Sequence, residues 1–204
     1  MSLINSQPTH GEDPCHVSTN GRILLTANYT GGSLSVLPLD KDGALLPMSQ
    51  QLRGTTASSG MPQQATAHIH CALFTPDGRE VVATDFSANR LIRMSLEEAT
   101  RLSSPTTAAI LPENSGCRHF VWSNDMRFCY VISEISGAVT VLRNTSGTMP
   151  ILQQIQSDSV GGHGSADIHL SPNGHFLYTS NRLVDDEISI FAVEEETGRL
   201  TKIG

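Results

Sequence analysis

Charge is scarce in this chain. Only 16% of its 204 residues are Asp, Glu, Lys or Arg, and the formal net charge is −7. A nucleic-acid binder ordinarily carries a basic stripe, so that class is not expected. No run of about 18 apolar residues occurs, which leaves no candidate membrane-spanning helix. Cysteine is sparse: Cys15, Cys71, Cys117 and Cys129 stand alone, with no C-x-x-C spacing. That pattern suits a reduced, cytoplasmic protein. The opening residues, Met-Ser-Leu-Ile-Asn-Ser-Gln, lack a basic stretch followed by an apolar run, so no signal peptide is expected. Helical periodicity is missing too; Leu96–Leu102 could at most make one turn.

Turn formers are plentiful. The chain has 17 glycines and 10 prolines, as an all-β protein with many short strands would. Its length suits one domain. Four segments repeat a single plan: 15–45, 70–96, 118–142 and 166–193. Each has an apolar stretch, a polar turn, a second apolar stretch, a break and a third alternating run. The third runs are Ser33–Leu37, Arg90–Met94, Ala138–Leu142 and Glu187–Phe191. A fourth, outer strand is expected in the stretches between, such as Leu46–Leu52 and Met149–Gln156. The turns centre on Gly21, Gly78, Met126 and Gly174, separated by 57, 48 and 48 residues. Gly suits a turn position with positive φ, and Met126 is the exception. Repeats of about 45–50 residues with four strands each signal a β-propeller. The approximate units are 13–56, 57–109, 110–157 and 158–204. The loop Gly54–Gln64 reads as an insertion between units and explains the longer first spacing.

Register turns the repeats into a candidate site. Eight residues before the turn centres lie Asp13, His70, Arg118 and Ala166; eight after lie Tyr29, Phe86, Glu134 and Arg182. Equivalent positions on successive blades face one mouth of a propeller, so His70, Arg118, Glu134 and Arg182 are expected to converge there. The ordinary readings differ. Arg118 and Glu134 could be a surface ion pair worth ~0–1 kcal/mol. Arg182 could pair with Asp185 or Asp186. Tyr29 and Phe86 could pack between blades. Asp85 and Asn181, one position earlier, are expected to cap turns. His163 is expected to be solvated in a flexible loop. His68-x-His70 has the look of a metal-ligand pair, but no third ligand falls in register, so neither metal nor cofactor is expected.

The segments 15–22 (C-H-V-S-T-N-G-R) with 27–33 (A-N-Y-T-G-G-S), and His68-I-H with 75–79 (T-P-D-G-R), carry a resemblance. So do Gly116-C-R-H with 133–137 (S-E-I-S-G), and 168–182 (I-H-L-S-P-N-G-H-F-L-Y-T-S-N-R). Together they resemble the lactonase family of seven-bladed β-propellers, of the 6-phosphogluconolactonase and carboxymuconate cycloisomerase type. The resemblance covers nearly the whole chain and implies a cytoplasmic hydrolase of a sugar lactone in carbohydrate metabolism. Its site residues carry over to His70, Arg118, Glu134 and Arg182, with an anionic substrate such as a phosphorylated sugar lactone or a diacid. The alternatives are a carboxymuconate-type lactonising cycloisomerase and a non-enzymatic binding platform. This chain departs at Cys117, where the family tends to have Pro, at 85–90 (D-F-S-A-N-R), and at Met126. Four units against seven imply a partial chain, an open arc whose exposed sheet edges invite self-association and which is expected to be inactive alone.

Overall fold

Apolar residues alternate along each expected strand, and a polar turn divides each pair, as an antiparallel hairpin requires. A computed structural model, which describes residues 2–56, 61–98, 100–184 and 186–204, shows four antiparallel sheets, one from each repeat. The first holds β1 (Pro14–Thr19), β2 (Ile23–Asn28), β3 (Ser33–Pro38) and β4 (Gln50–Arg53). The second holds β5 (Ile69–Phe74), β6 (Glu80–Asp85), β7 (Arg90–Glu97) and β8 (Arg101–Leu102), with β9 (Thr106–Ile110) paired to β7. The third holds β10 (Cys117–Trp122), β11 (Phe128–Ser133), β12 (Ala138–Arg143) and β13 (Ile151–Gln156). The fourth holds β14 (Ile168–Leu170), β15 (Phe176–Asn181), β16 (Glu187–Val193) and β17 (Leu200–Lys202). The sheets fall into two compact units, Met1–Thr107 and Ala108–Gly204.

The turns follow one recipe. The Asn or Asp before each turn centre accepts the backbone N–H of the residue after it: Asn20 from Arg22 (3.0 Å), Asp77 from Arg79 (3.1 Å), Asp125 from Arg127 (3.1 Å) and Asn173 from His175 (3.2 Å). All four centres take positive φ: Gly21 +83°, Gly78 +67°, Met126 +64° and Gly174 +79°. Met126 thus occupies a glycine's conformation.

The segment Leu96–Leu102, where at most one helical turn was expected, contributes strand: β7 runs to Glu97, and Leu96 and Glu97 pair with Leu102 and Arg101, residue 99 lying outside the described residues. Extending a strand already paired along β6 satisfies more backbone groups than starting an isolated helical turn would.

Each unit buries its own core. In the first, Ile23, Leu25 and Val36 of one sheet meet Ile69, Val81 and Met94 of the next. In the second, Phe128, Tyr130, Ile132, Val139 and Val141 meet Ile168, Leu177, Phe191 and Leu200. Burying one such side chain stabilises by about 1.5–3 kcal/mol. A matching clasp ties the sheets in each unit. Gln50 on β4 bonds both backbone groups of Leu102 (2.8 and 2.9 Å), and Gln153 on β13 bonds both of Leu200 (2.7 and 2.8 Å). The front of the first sheet is covered by the incoming chain, where Ser35 Oγ donates to Thr9 O (2.6 Å) and Gln51 donates to His10 O (2.8 Å).

The fourth sheet is different. Phe176, Tyr178 and Ile188 stand where Phe128, Tyr130 and Val139 stand in the third. They are 37, 36 and 60% exposed, against 1, 0 and 0% for their counterparts. The surface left bare is a face of the sheet.

Candidate active site

The innermost strands do not pair regularly. The β1–β2 register shifts between Pro14 and His16, β5–β6 between Ile69 and Ala72, and β10–β11 between Cys117 and His119. In the fourth sheet Ala166 N–H donates to Ser180 O while Ser180 N–H donates to Asp167 O, so one residue faces two. Such bulges turn a side chain out of the regular alternation. His70 and Arg118 both lie in them. An equal count of residues from the turn centre placed Arg118 opposite Glu134; the direct partners are Cys117 and Ser133, and the bulge swings Arg118 round.

Arg118 then meets Glu134. Its Nε donates to Glu134 Oε2 at 2.8 Å, and its Nη1 donates to Ala166 O at 2.7 Å. Arg182 reaches the same carboxylate oxygen, with Nη2 at 3.2 Å and Nε donating to Gly164 O at 3.0 Å. Arg118 and Glu134 are largely buried and Arg182 is half-exposed. Oε2 carries both guanidinium contacts. The three charges sum to one positive, in a setting where water screens them less than on an open surface.

Arg182 is held in place by what precedes it. Asn181 is buried and accepts from Ser165 Oγ (2.6 Å) and Ser157 Oγ (3.2 Å). Gly164 passes so near Arg182 that a Cβ there would lie 2.6 Å from Arg182 O. Asp158 ties the loop leading to it by accepting the N–H groups of Val160, Gly161 and Gly162 at 2.8, 3.1 and 2.5 Å. Asp186 is not the partner of Arg182 in any ion pair of the described residues, and Asp185 lies outside them. His163, expected to be solvated, is exposed yet anchored to Ile135 O at 2.6 Å.

Asp85 and Asn181, expected to cap turns, each end a buried second strand. Asp85 accepts from Thr55 N–H (3.1 Å) and Arg90 Nε (3.0 Å). Burial pushes its carboxyl above the usual range, although Thr55 and Arg90 pull the other way. Thr55 and buried Gln64, which donates to Phe86 O at 3.0 Å, fasten the ends of the 54–64 loop; residues 57–60 lie outside the described chain.

His70 belongs to the first unit. It is buried, with Nδ1 3.7 Å from Cys15 Sγ and its ring edge-on to Tyr29 at 5.3 Å. His68 stacks on Tyr29 at 4.1 Å and contacts Tyr29 O at 2.8 Å through Nδ1. Tyr29 packs on Phe86 at 5.7 Å, as expected of the two rings. Among the described residues no cluster of three or more His, Cys, Asp or Glu is placed to hold a metal ion.

Beside Arg118 lies a group that the repeat alignment did not select. His119 Nδ1 is 2.8 Å from Asp167 Oδ1, and His169 Nε2 is 2.9 Å from Asp167 Oδ2. Burial pushes the His119 pKa down, outweighing Asp167. Partial burial alone would raise the Asp167 pKa, but bonds to His119 and His169 bring it to about 2. The visible signal was the 48-residue offset between Arg118-His119 and Ala166-Asp167, hidden because the two positions differ in residue type.

A cavity of about 230 Å³ opens at the opposite, turn end of the third and fourth sheets, lined by Asn124, Asp125, Arg127, Tyr130 and Glu195. Arg127 there is already engaged by Asp125 and by Glu195 O. The charged cluster at the other end remains the better candidate.

The family model described as "Lactonase, 7-bladed beta-propeller" matches residues 1–204. A 6-phosphogluconolactonase of Formosa agariphila is 32% identical over 100% of this chain and 60% of its own length. A crystal structure from Bacteroides uniformis superposes with a TM-score of 0.94 at 46% identity, covering 99% of this chain and 59% of that one. A periplasmic gluconolactonase of Pseudomonas aeruginosa gives 0.88 at 32% identity, covering 97% and 58%. The chain therefore spans about 60% of the length of these relatives.

Proposed function

Because the chain belongs to the lactonase family of seven-bladed β-propellers, we propose that it serves the hydrolysis of an anionic sugar lactone of the 6-phosphogluconolactone class. One observation carries the reading: a single carboxylate, Glu134, held between Arg118 and Arg182. In lactone hydrolysis a water oxygen bonds to the carbonyl carbon, the ring C–O bond breaks, the departing ring oxygen takes a proton to become a hydroxyl, and a carboxylate is left. The water must lose a proton, and Glu134 takes it through Oε1, since Oε2 is occupied by both arginines. Such a base contributes about 10²–10⁴-fold. His70, from the first unit, is the other candidate base and enters through the family resemblance. Arg118 stabilises the oxyanion; one fixed donor is worth about 3–4 kcal/mol at the transition state. Arg182, the more exposed cation, holds the substrate phosphate with its planar fork.

The chain and its variants are assayed on phosphorylated and unphosphorylated gluconolactone, following acid release and correcting for spontaneous opening. Glu134→Gln is expected to lower kcat at least 100-fold. Arg182→Ala is expected to raise KM more than tenfold for the phosphorylated lactone alone. Turnover by the unaltered chain with unchanged rates in both variants would remove these roles. Turnover of a carboxymuconate lactone instead would move the reading to the cycloisomerase.

The compartment we propose is the cytoplasm, supported by four cysteines that form no disulfide. For partners we propose self-association of the chain, supported by the bare apolar face of its fourth sheet.

A further inference from the structure

We propose that His119 and Asp167 are positioning residues that hold the Arg118 guanidinium on Glu134. The inference rests on the reading of that cluster as the reactive site, and its own support is geometric. Arg118 is delivered by a bulge, the least constrained place on a strand, because a bulged residue gives up its regular ladder bonds. Among the anchors of its guanidinium are two, Glu134 Oε2 at 2.8 Å and Ala166 O at 2.7 Å. The second anchor is on the neighbouring sheet, so its place depends on how that sheet's first strand meets β10. One residue along from each end of that contact lies the second tie. His119 follows Arg118, Asp167 follows Ala166, and their side chains meet at 2.8 Å. Two adjacent residues of β10 thus grip two adjacent residues leading into β14. A single tie leaves rotation about the contact; two ties one residue apart remove it.

The polarity of the second tie is set by its surroundings. Burial first, then Arg118 beside it and His169 beyond, disfavour charge on His119 and outweigh Asp167. Asp167 is the carboxylate, bonded also by Ile168 N–H at 3.0 Å and by His169 at 2.9 Å. At neutral pH the imidazole is neutral and donates Nδ1–H to Oδ1. This tautomer adds no second positive charge beside Arg118, which a Lys or Arg at 119 would do.

The test reads Arg118 directly in the full chain, by nitrogen–proton NMR of the Arg118 Nε–H, assigned by its disappearance in Arg118→Lys. In the unaltered protein the bond to Glu134 slows its exchange with water. His119→Ala and Asp167→Ala, which cut the same tie from opposite sides, are each expected to speed that exchange at least tenfold. His119→Asn, whose side-chain amide N–H lies where Nδ1–H lay, is expected to restore it. Should His119→Ala not fold, His119→Gln replaces it; its amide sits where Nε2 was and is expected to leave exchange fast. Exchange unchanged in the variants that break the tie would overturn the proposal. Lactone hydrolysis undiminished by Glu134→Gln, with the Arg118 signal responding as expected, would instead remove the functional reading and leave the positioning role standing.

Discussion

Glu134 is the residue on which two cations depend, and its replacement separates charge from shape. Glu134→Gln keeps the size but takes away the charge that Arg118 and Arg182 share. The two guanidinium groups then repel across a partly buried gap, so Arg182 is expected to swing out, visible as a second conformer in a crystal structure. Gly164→Ala probes the same placement from behind. Its Cβ would meet Arg182 O at 2.6 Å, and the backbone must move; affinity for a phosphorylated product is expected to fall more than fold stability does, measured by calorimetry beside a melt. The pH dependence of stability follows from His119. Its pKa is lowered in the folded protein, so the unfolded chain takes up a proton first as pH drops below about 6.5. This contribution is complete above 6.5 and is lost on acidification. That of Asp167, held near 2, is lost only below the ordinary carboxylate range, about 3.9. His119→Asn is expected to flatten the fall in melting temperature between pH 7 and 5. At this scale the sequence was informative where residues share a count from a turn. Arg118, Glu134 and Arg182 were legible for that reason. His119 and Asp167 were not, since their meeting depends on a bulge, which is one unpaired residue with no composition of its own.

Turns and third strands were the most readable elements. The runs beginning at Ser33, Arg90, Ala138 and Glu187 begin strands at those same residues. Met126 shows why the pattern outranks residue type: Asp125 caps the turn and the conformation is kept at φ +64°. A non-glycine residue in the left-handed region costs about 1–2 kcal/mol, so Met126→Gly is expected to raise unfolding free energy by about 1 kcal/mol, read by urea titration. The outer strands were less readable, because short half-exposed strands carry little alternation. What holds an outer strand is visible only in three dimensions: Gln153 bonding both backbone groups of Leu200. Gln153→Ala leaves an N–H and a C=O without protein partners, at about 1–3 kcal/mol. Gln153→Glu keeps the acceptor but sets a carboxylate against a carbonyl oxygen, and is expected to melt lower still.

At the scale of the molecule, the repeat explains both what is buried and what is bare. Phe128, Tyr130 and Val139 disappear beneath the next sheet; Phe176, Tyr178 and Ile188 occupy the same places in the following repeat and do not. The periodic pattern foretold an exposed boundary, but as a strand edge, since sequence marks strands more plainly than the faces on which sheets stack. The difference matters for what attaches. An edge offers backbone hydrogen bonds; this face offers rings and branched carbons, so the proposed self-association, if it uses this face, is expected to weaken on cooling rather than to be sensitive to salt. Substitutions at matched positions give the deciding comparison. Val139→Lys buries a charge without a partner and is expected to unfold the second unit. Ile188→Lys places its ammonium in water, leaves the melting temperature of a dilute sample within a degree or two, and is expected to abolish concentration-dependent association in sedimentation velocity. Equal association by Ile188→Lys and Tyr178→Lys would free this face of any part in self-association.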